Sequence, residues 1–237
     1  MRALGIPCLV VLLAGCGPAQ QEATEQAARP PAAATATPAP EGATVLLDDT
    51  YVTVMRFDLQ PGQAQARHEG LDRVVYSLND YTLEWTEGDA EPVEAAWTAG
   101  DAHWHAAGPH AGENVGDDVA RYLVIARTAE PLPAVEGEAE PDVAAADTDH
   151  AKVLLENEAV RVVEVALEPG EATPRHRGAH RLIYALGDYS IRWTEGEAEP
   201  EDVTWTAGQA HWHGPAEHSV ENVGESPARY LVVTFLS

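Results

Sequence analysis

Ten histidines stand in a chain with only two methionines and two phenylalanines. Eight of them form pairs 108 positions apart: His68 with His176, His103 with His211, His105 with His213, and His110 with His218. His150 and His180 have no such partner, and the position matching His180 holds Asp72. Imidazole is the commonest side-chain ligand for divalent transition ions, so histidines recurring in register point first to metal chemistry. His103 and His105 flank Trp104, as His211 and His213 flank Trp212. Alternate residues of a strand share one face, so both members of each pair can point inward.

The remaining inventory excludes other chemistries. Five serines are present and none sits in a Gly-x-Ser-x-Gly elbow. No Gly-rich phosphate loop or Gly-x-Gly-x-x-Gly occurs, which argues against nucleotide cofactors. The net charge of −25 repels phosphate backbones, so nucleic acid is not an expected partner. Lys152 is the one lysine, beside 13 arginines.

The elements that must position these histidines are repeated. Without gaps, 42 of 83 positions agree between residues 45–127 and 153–235. Val45-Leu46-Leu47 matches Val153-Leu154-Leu155, Trp85-Thr86-Glu87-Gly88 matches Trp193-Thr194-Glu195-Gly196, and all six tryptophans fall in matched pairs. This is the pattern of a duplicated domain. Each copy reads as all-β, with alternation in Val160–Leu167 and turn signals at Pro61-Gly62, Asn79-Asp80 and Ala99-Gly100. Many short strands at this spacing predict a sandwich or barrel of the jelly-roll kind. A single copy has a small core, so packing of copy on copy, or a homodimer, would add stability.

On the strand after Pro-Gly, one face carries His176, Gly178, His180, Leu182, Tyr184 and Leu186 in copy 2. Copy 1 carries His68, Gly70, Asp72, Val74, Tyr76 and Leu78 there. The apolar half of this face is expected to point into the barrel, with Tyr76 and Tyr184 reaching the pocket. Residues four apart on a strand are about 13 Å apart, so two ligands there need a bulge at Gly70 or Gly178. Arg73 and Arg181 fall on the opposite face, as surface ion-pair partners.

On these residues each copy resembles a cupin. The first cupin motif begins with glycine, five residues and histidine, as in Gly62 to His68 and Gly170 to His176. The second ends in histidine, three residues and asparagine, as in His110 to Asn114 and His218 to Asn222. The stretch Trp104–His110 is similar to small bacterial cupins named for β-alanine degradation. The resemblance implies two tandem cupin barrels, with metal ligands at His68 and His110 in copy 1 and at His176 and His218 in copy 2.

Metal-binding cupins usually carry His-x-His and a glutamate in the first motif; here those places hold Gly70 or Gly178 and Val74 or Leu182. A third ligand must come from Asp72, from His180, or from the His-Trp-His strand. Asp72 would complete a two-His-one-carboxylate site suited to Fe(II) or Mn(II), and His180 a three-His site suited to Zn, Cu, Ni or Fe. His103, His105, His211 and His213 are expected at the pocket rim, and Asn114 and Asn222 as turn holders. The alternative is a polar pocket without metal. The function is then either a divalent-metal cupin acting on a small molecule, or a non-catalytic module that binds a small ligand or metal.

The first 15 residues read as a lipoprotein signal, with Arg2, the apolar run Leu4–Leu13 and Leu-Ala-Gly before Cys16. Cys16 is the expected lipidation site, which predicts a membrane-anchored protein of the bacterial envelope, on the outer membrane rather than the inner. Cys8 would leave with the signal, so thiolate chemistry is excluded. Residues 16–43 read as an Ala/Pro-rich tether and 128–151 as an acidic linker, between domains at 44–127 and 152–237.

Overall fold

The computed structural model describes residues 40–134 and 142–236. The signal segment, Cys16, most of the tether and part of the linker lie outside them. Among the described residues no helix is long and apolar enough to cross a membrane.

Copy 1 contains nine strands: β1 (Ala43–Asp48), β2 (Val52–Leu59), β3 (Ala64–Gly70), β4 (Arg73–Ser77), β5 (Tyr81–Glu87), β6 (Val93–Trp97), β7 (Ala102–His105), β8 (Gly108–Asn114) and β9 (Ala120–Arg127). A one-turn helix, α1 (Val143–Ala146), precedes copy 2. Copy 2 repeats the strands as β10 (Ala151–Glu156), β11 (Val160–Leu167), β12 (His176–Gly178), β13 (Arg181–Ala185), β14 (Tyr189–Glu195), β15 (Glu201–Trp205), β16 (Ala210–His213), β17 (Ala216–Asn222) and β18 (Ala228–Phe235). Each copy forms a five-stranded and a four-stranded antiparallel sheet, ordered β1-β2-β9-β4-β7 with β3-β8-β5-β6, and β10-β11-β18-β13-β16 with β12-β17-β14-β15. Together these are two jelly rolls.

Two of the three cores lie inside the jelly rolls. Phe57, Leu59, Tyr81, Leu83 and Tyr122 fill the first, and Val165, Leu167, Ile191, Val220 and Tyr230 belong to the second. The third lies between the copies. Val52, Val54, Val74, Tyr76, Leu123 and Ile125 pack against Val160, Val162, Leu182, Tyr184, Leu231, Val233 and Phe235. Bulges in β1 and β10 break the alternation at Val45/Leu47 and Val153/Leu155. Consequently Leu46 and Leu47, and Leu154 and Leu155, all reach this shared core.

The expected facing of β4 and β13 is therefore corrected. Val74, Tyr76, Leu182 and Tyr184 turn toward the other copy, and Arg73, Val75, Arg181, Ile183 and Ala185 turn into their own barrels. The five-stranded sheets are covered on both sides, so β13 is buried at every position and apolar alternation has no solvent face to mark. The linker is also more structured than its composition predicts. The Asp142 carboxylate caps α1 at the Ala145 amide, Val143 joins the second barrel's core, and Asp142 pairs with Arg161. His150, left without a role by the sequence, sits between Asp147 at 2.9 Å and Glu171 at 3.3 Å.

Candidate functional site

In each barrel the two motif histidines are cross-strand neighbours. His68 on β3 pairs in register with His110 on β8, and His176 on β12 with His218 on β17. Their ring centroids lie 4.1 Å apart in copy 1 and 4.3 Å apart in copy 2. The bulge expected at Gly70 falls earlier, between Gln65 and His68, and in copy 2 the Pro174 segment precedes the short β12.

All four imidazoles are held alike. Nδ1 of each lies at the carbonyl oxygen two residues before it: Ala66 at 2.9 Å, Gly108 at 3.2 Å, Pro174 at 2.9 Å and Ala216 at 3.2 Å. A carbonyl only accepts, so Nδ1 carries the proton and Nε2 keeps its lone pair. Burial holds His176 below the ordinary histidine range, and lowers His110 to about 4 and His218 to about 3. The rings of these three are neutral at pH 7.

The structure does not bring a third ligand to either pair. Asp72 is exposed and accepts from the Ala107 amide at 2.6 Å, closing a loop. His180 is buried between the copies, stacked on Trp212 at 6.2 Å and near Tyr51 at 6.3 Å. Tyr76 and Tyr184 share that inter-copy core.

The His-Trp-His strands do face inward. His103 meets Trp97 edge-on at 3.8 Å and His105 lies 5.1 Å from Trp85. His211 and His213 line the second barrel against Trp205 and Trp193. Burial lowers His105 and His213 to about 4, with Arg73 and Arg181 adding to the effect. Asn114 and Asn222 are fully buried at the end of the second motif. Asn222 Nδ2 donates to the Leu167 and Ser226 carbonyls at 2.8 and 2.9 Å, and Oδ1 accepts from the Gly224 amide at 3.0 Å.

What sequence reasoning missed is the arginine. Arg181 is 3% exposed, and its Nη1 donates to the carbonyls of Ala179 at 3.0 Å and Gly214 at 2.9 Å. Its Nη2 lies 3.4 Å from Nε2 and 3.5 Å from Nδ1 of His218, and the guanidinium stands over Trp193. Arg73 repeats this in copy 1, over Trp85 and with Nη1 on the Leu71 and Ala106 carbonyls. The signal was present in the sequence. Gly70 and Gly178 replace the usual second histidine; a Cβ on Gly178 would fall on Arg181, and one on Gly70 on His110 and Arg73 together.

Each motif pair of imidazoles therefore stands beside a guanidinium. Among the described residues no group of three histidine, cysteine or acidic side chains converges as a metal cage. A fixed positive charge beside the pair opposes a cation. The residues present do not fit a resident divalent ion held by protein donors alone.

The second barrel holds a cavity of about 620 Å³, partly open to solvent. Ile183, Ile191, Val203, Val220 and Trp205 form apolar walls, with His176, His218, His213 and Arg181 among the polar lining. This size suits a small organic molecule.

Two jelly rolls in tandem, each with the second-motif histidine and asparagine on one strand, have the fold of a bicupin. The fold is similar to that of oxalate decarboxylase from Bacillus subtilis, at 14% identity and a TM-score of 0.57, over 77% of this chain and 68% of that one. It is similar also to the Lactobacillus farciminis oxalate decarboxylase in its formate complex, at 14% identity and a TM-score of 0.56, over 79% and 77%. The Bacillus subtilis enzyme has Mn(II) centres. No protein-family profile matches the chain, and no curated protein does.

Proposed function

We propose that this chain is a small-molecule-binding bicupin whose ligand site is the second barrel, held at a membrane of the bacterial envelope by a lipid on Cys16. The 620 Å³ cavity carries the reading, because apolar walls and a few converging polar groups are what a ligand pocket requires. The test uses the full chain with Cys16→Ser, so that no detergent is needed. Calorimetric titration with 3-phenylpropanol and 3-phenylpropionate is expected to show saturable 1:1 binding of at least one of them. Val203→Trp, which fills the cavity from its partly exposed wall, is expected to remove it. Failure of both probes to bind overturns the reading.

A second reading places a divalent metal on Nε2 of His176 and His218, with its other positions filled by the small molecule. The four tethered Nδ1 atoms favour it. Near-stoichiometric metal in the purified full chain, lost in His176→Ala/His218→Ala, would establish this reading in place of the metal-free one. The lipid proposal is checked by palmitate labelling and membrane fractionation. Label and membrane association are expected in the unmodified chain and absent in Cys16→Ser; an unlabelled, soluble parent chain overturns it.

A further inference from the structure

The guanidinium of Arg181 is buried, and burial lowers it to about 10, so it stays charged at neutral pH. A buried cation is costly unless an anion or a full set of acceptors meets it. No carboxylate ion-pairs with Arg181 among the described residues. Of the cavity's three acids, Asp142 is engaged by Arg161, Glu201 is exposed, and Glu195, also exposed, favours the charge of Arg181 through space without forming an ion pair with it. The two carbonyls of Ala179 and Gly214 take Nη1. Nη2 has only the His218 ring, nearly equidistant from its two nitrogens, so it is not aimed squarely down the Nε2 lone pair.

A second donor lining the same cavity is stranded. Trp205 is 7% exposed, lines the cavity, and its indole Nε1 has no partner. Indole nitrogen only donates, as does guanidinium. His213 Nε2 is likewise buried without a partner. Arg181 and Trp205 thus bring N–H groups without an anionic partner to a cavity whose walls include Val163, Ile183, Ile191, Val203 and Val220.

We infer that the second barrel binds a small organic carboxylate with an apolar body, its carboxylate on Arg181 and its body between Trp193, Trp205 and Ile183. The inference rests on the pocket reading above and deepens it by fixing the ligand's charge. A planar guanidinium presents two N–H groups to a carboxylate, which an alcohol of the same shape cannot use. Gly178 is what admits the guanidinium, so the residue lost from the metal motif makes room for the anion-binding cation.

The experiment compares 3-phenylpropionate with 3-phenylpropanol in the full Cys16→Ser chain, by calorimetry, in excess EDTA. The acid is expected to bind at least tenfold more tightly than the alcohol. Arg181→Gln is expected to abolish that preference while the alcohol still binds, and Arg181→Lys to retain part of it. Equal affinities in the parent chain overturn the inference and leave the pocket standing. So does a preference that vanishes on adding EDTA, because a metal would then hold the carboxylate. If neither probe binds, the pocket reading itself has failed. The comparison in the parent chain needs no variant to fold.

Discussion

Gly178 leaves the volume of its missing Cβ to the guanidinium of Arg181: a methyl built there would lie 2.8 Å from Nε and closer still to Cζ and Nη1. That guanidinium cannot retreat easily, since Nη1 is fixed on two carbonyls and the plane stands over Trp193. Gly178→Ala is therefore expected to cost about 1–3 kcal/mol, the usual range for overpacking a filled interior. Gly214→Ala, with open space at its Cβ, is expected to stay within about 0.5 kcal/mol of the parent. Urea unfolding of both variants checks this. A Gly178→Ala protein as stable as Gly214→Ala would mean the arginine does not occupy that space.

The buried imidazoles predict the pH profile of stability. Histidines of the unfolded chain take up protons as pH falls through about 6.5. In the folded barrels His105, His110 and His213 wait until about 4, and His218 until about 3. Between those values the unfolded state binds more protons, so stability is full above pH 6.5 and falls steadily as pH drops toward 4. His150 runs the other way, raised by Asp147; being near the surface, it offsets little. The urea midpoint of the full chain in EDTA is expected to be clearly lower at pH 5.0 than at pH 7.5. His218→Gln should shrink that difference. A midpoint unchanged across this interval contradicts the burial of these rings.

How much of this was legible in the sequence depends on which faces meet water. The repeat and the strand content followed from spacing, and the cupin resemblance put His68 with His110 and His176 with His218 in one site, because motif positions in matched copies survive any error about facing. The facing of β4 and β13 did not. Leu182 and Ile183 are both buried, one against the other copy and one against the barrel interior, so the strand reads apolar on both faces. Assigning Leu182 and Tyr184 to the interior forced Arg181 outside, and the guanidinium was missed. Asp72 and His180 were misplaced by the same step. The glycines were the available corrective: two glycines each followed three residues later by arginine, in both copies, mark a side chain that needs their space.

The inter-copy core predicts that the two jelly rolls unfold together. Leu123 and Leu231 are fully buried there, beside Val54, Val74, Val162 and Val233. Separating the copies would expose all of them at once, and neither barrel's own core compensates for that. Leu231→Ala is expected to cost about 2–5 kcal/mol, as for a fully buried leucine. It should also lower one shared transition. Circular dichroism and tryptophan fluorescence are expected to give coincident curves for the parent and the variant. Two separate transitions, with Leu231→Ala moving only one, would show that the copies are independent.

His180 supplies the last prediction, because it is a buried imidazole with nothing to bond. It is 8% exposed, and neither Nδ1 nor Nε2 has a partner. Its ring neighbours are Trp212, stacked on it within the same copy, and Tyr51, tilted against it from the other copy. The aromatic contacts need only a flat ring, whereas the two nitrogens lose their hydration and receive nothing in return, at a cost of about 1–3 kcal/mol for each stranded group. Phenylalanine keeps the ring and removes both nitrogens. His180→Phe is therefore expected to raise the unfolding midpoint, with a gain of about 1–2 kcal/mol once the larger ring is accommodated. His180→Gln, which keeps polar atoms in the same place and loses the stacking, is expected to lower it. Thermal unfolding of the two variants side by side decides the matter. If His180→Phe proves the less stable of the pair, the imidazole nitrogens are bonded, and the boundary between the copies holds a polar partner for them.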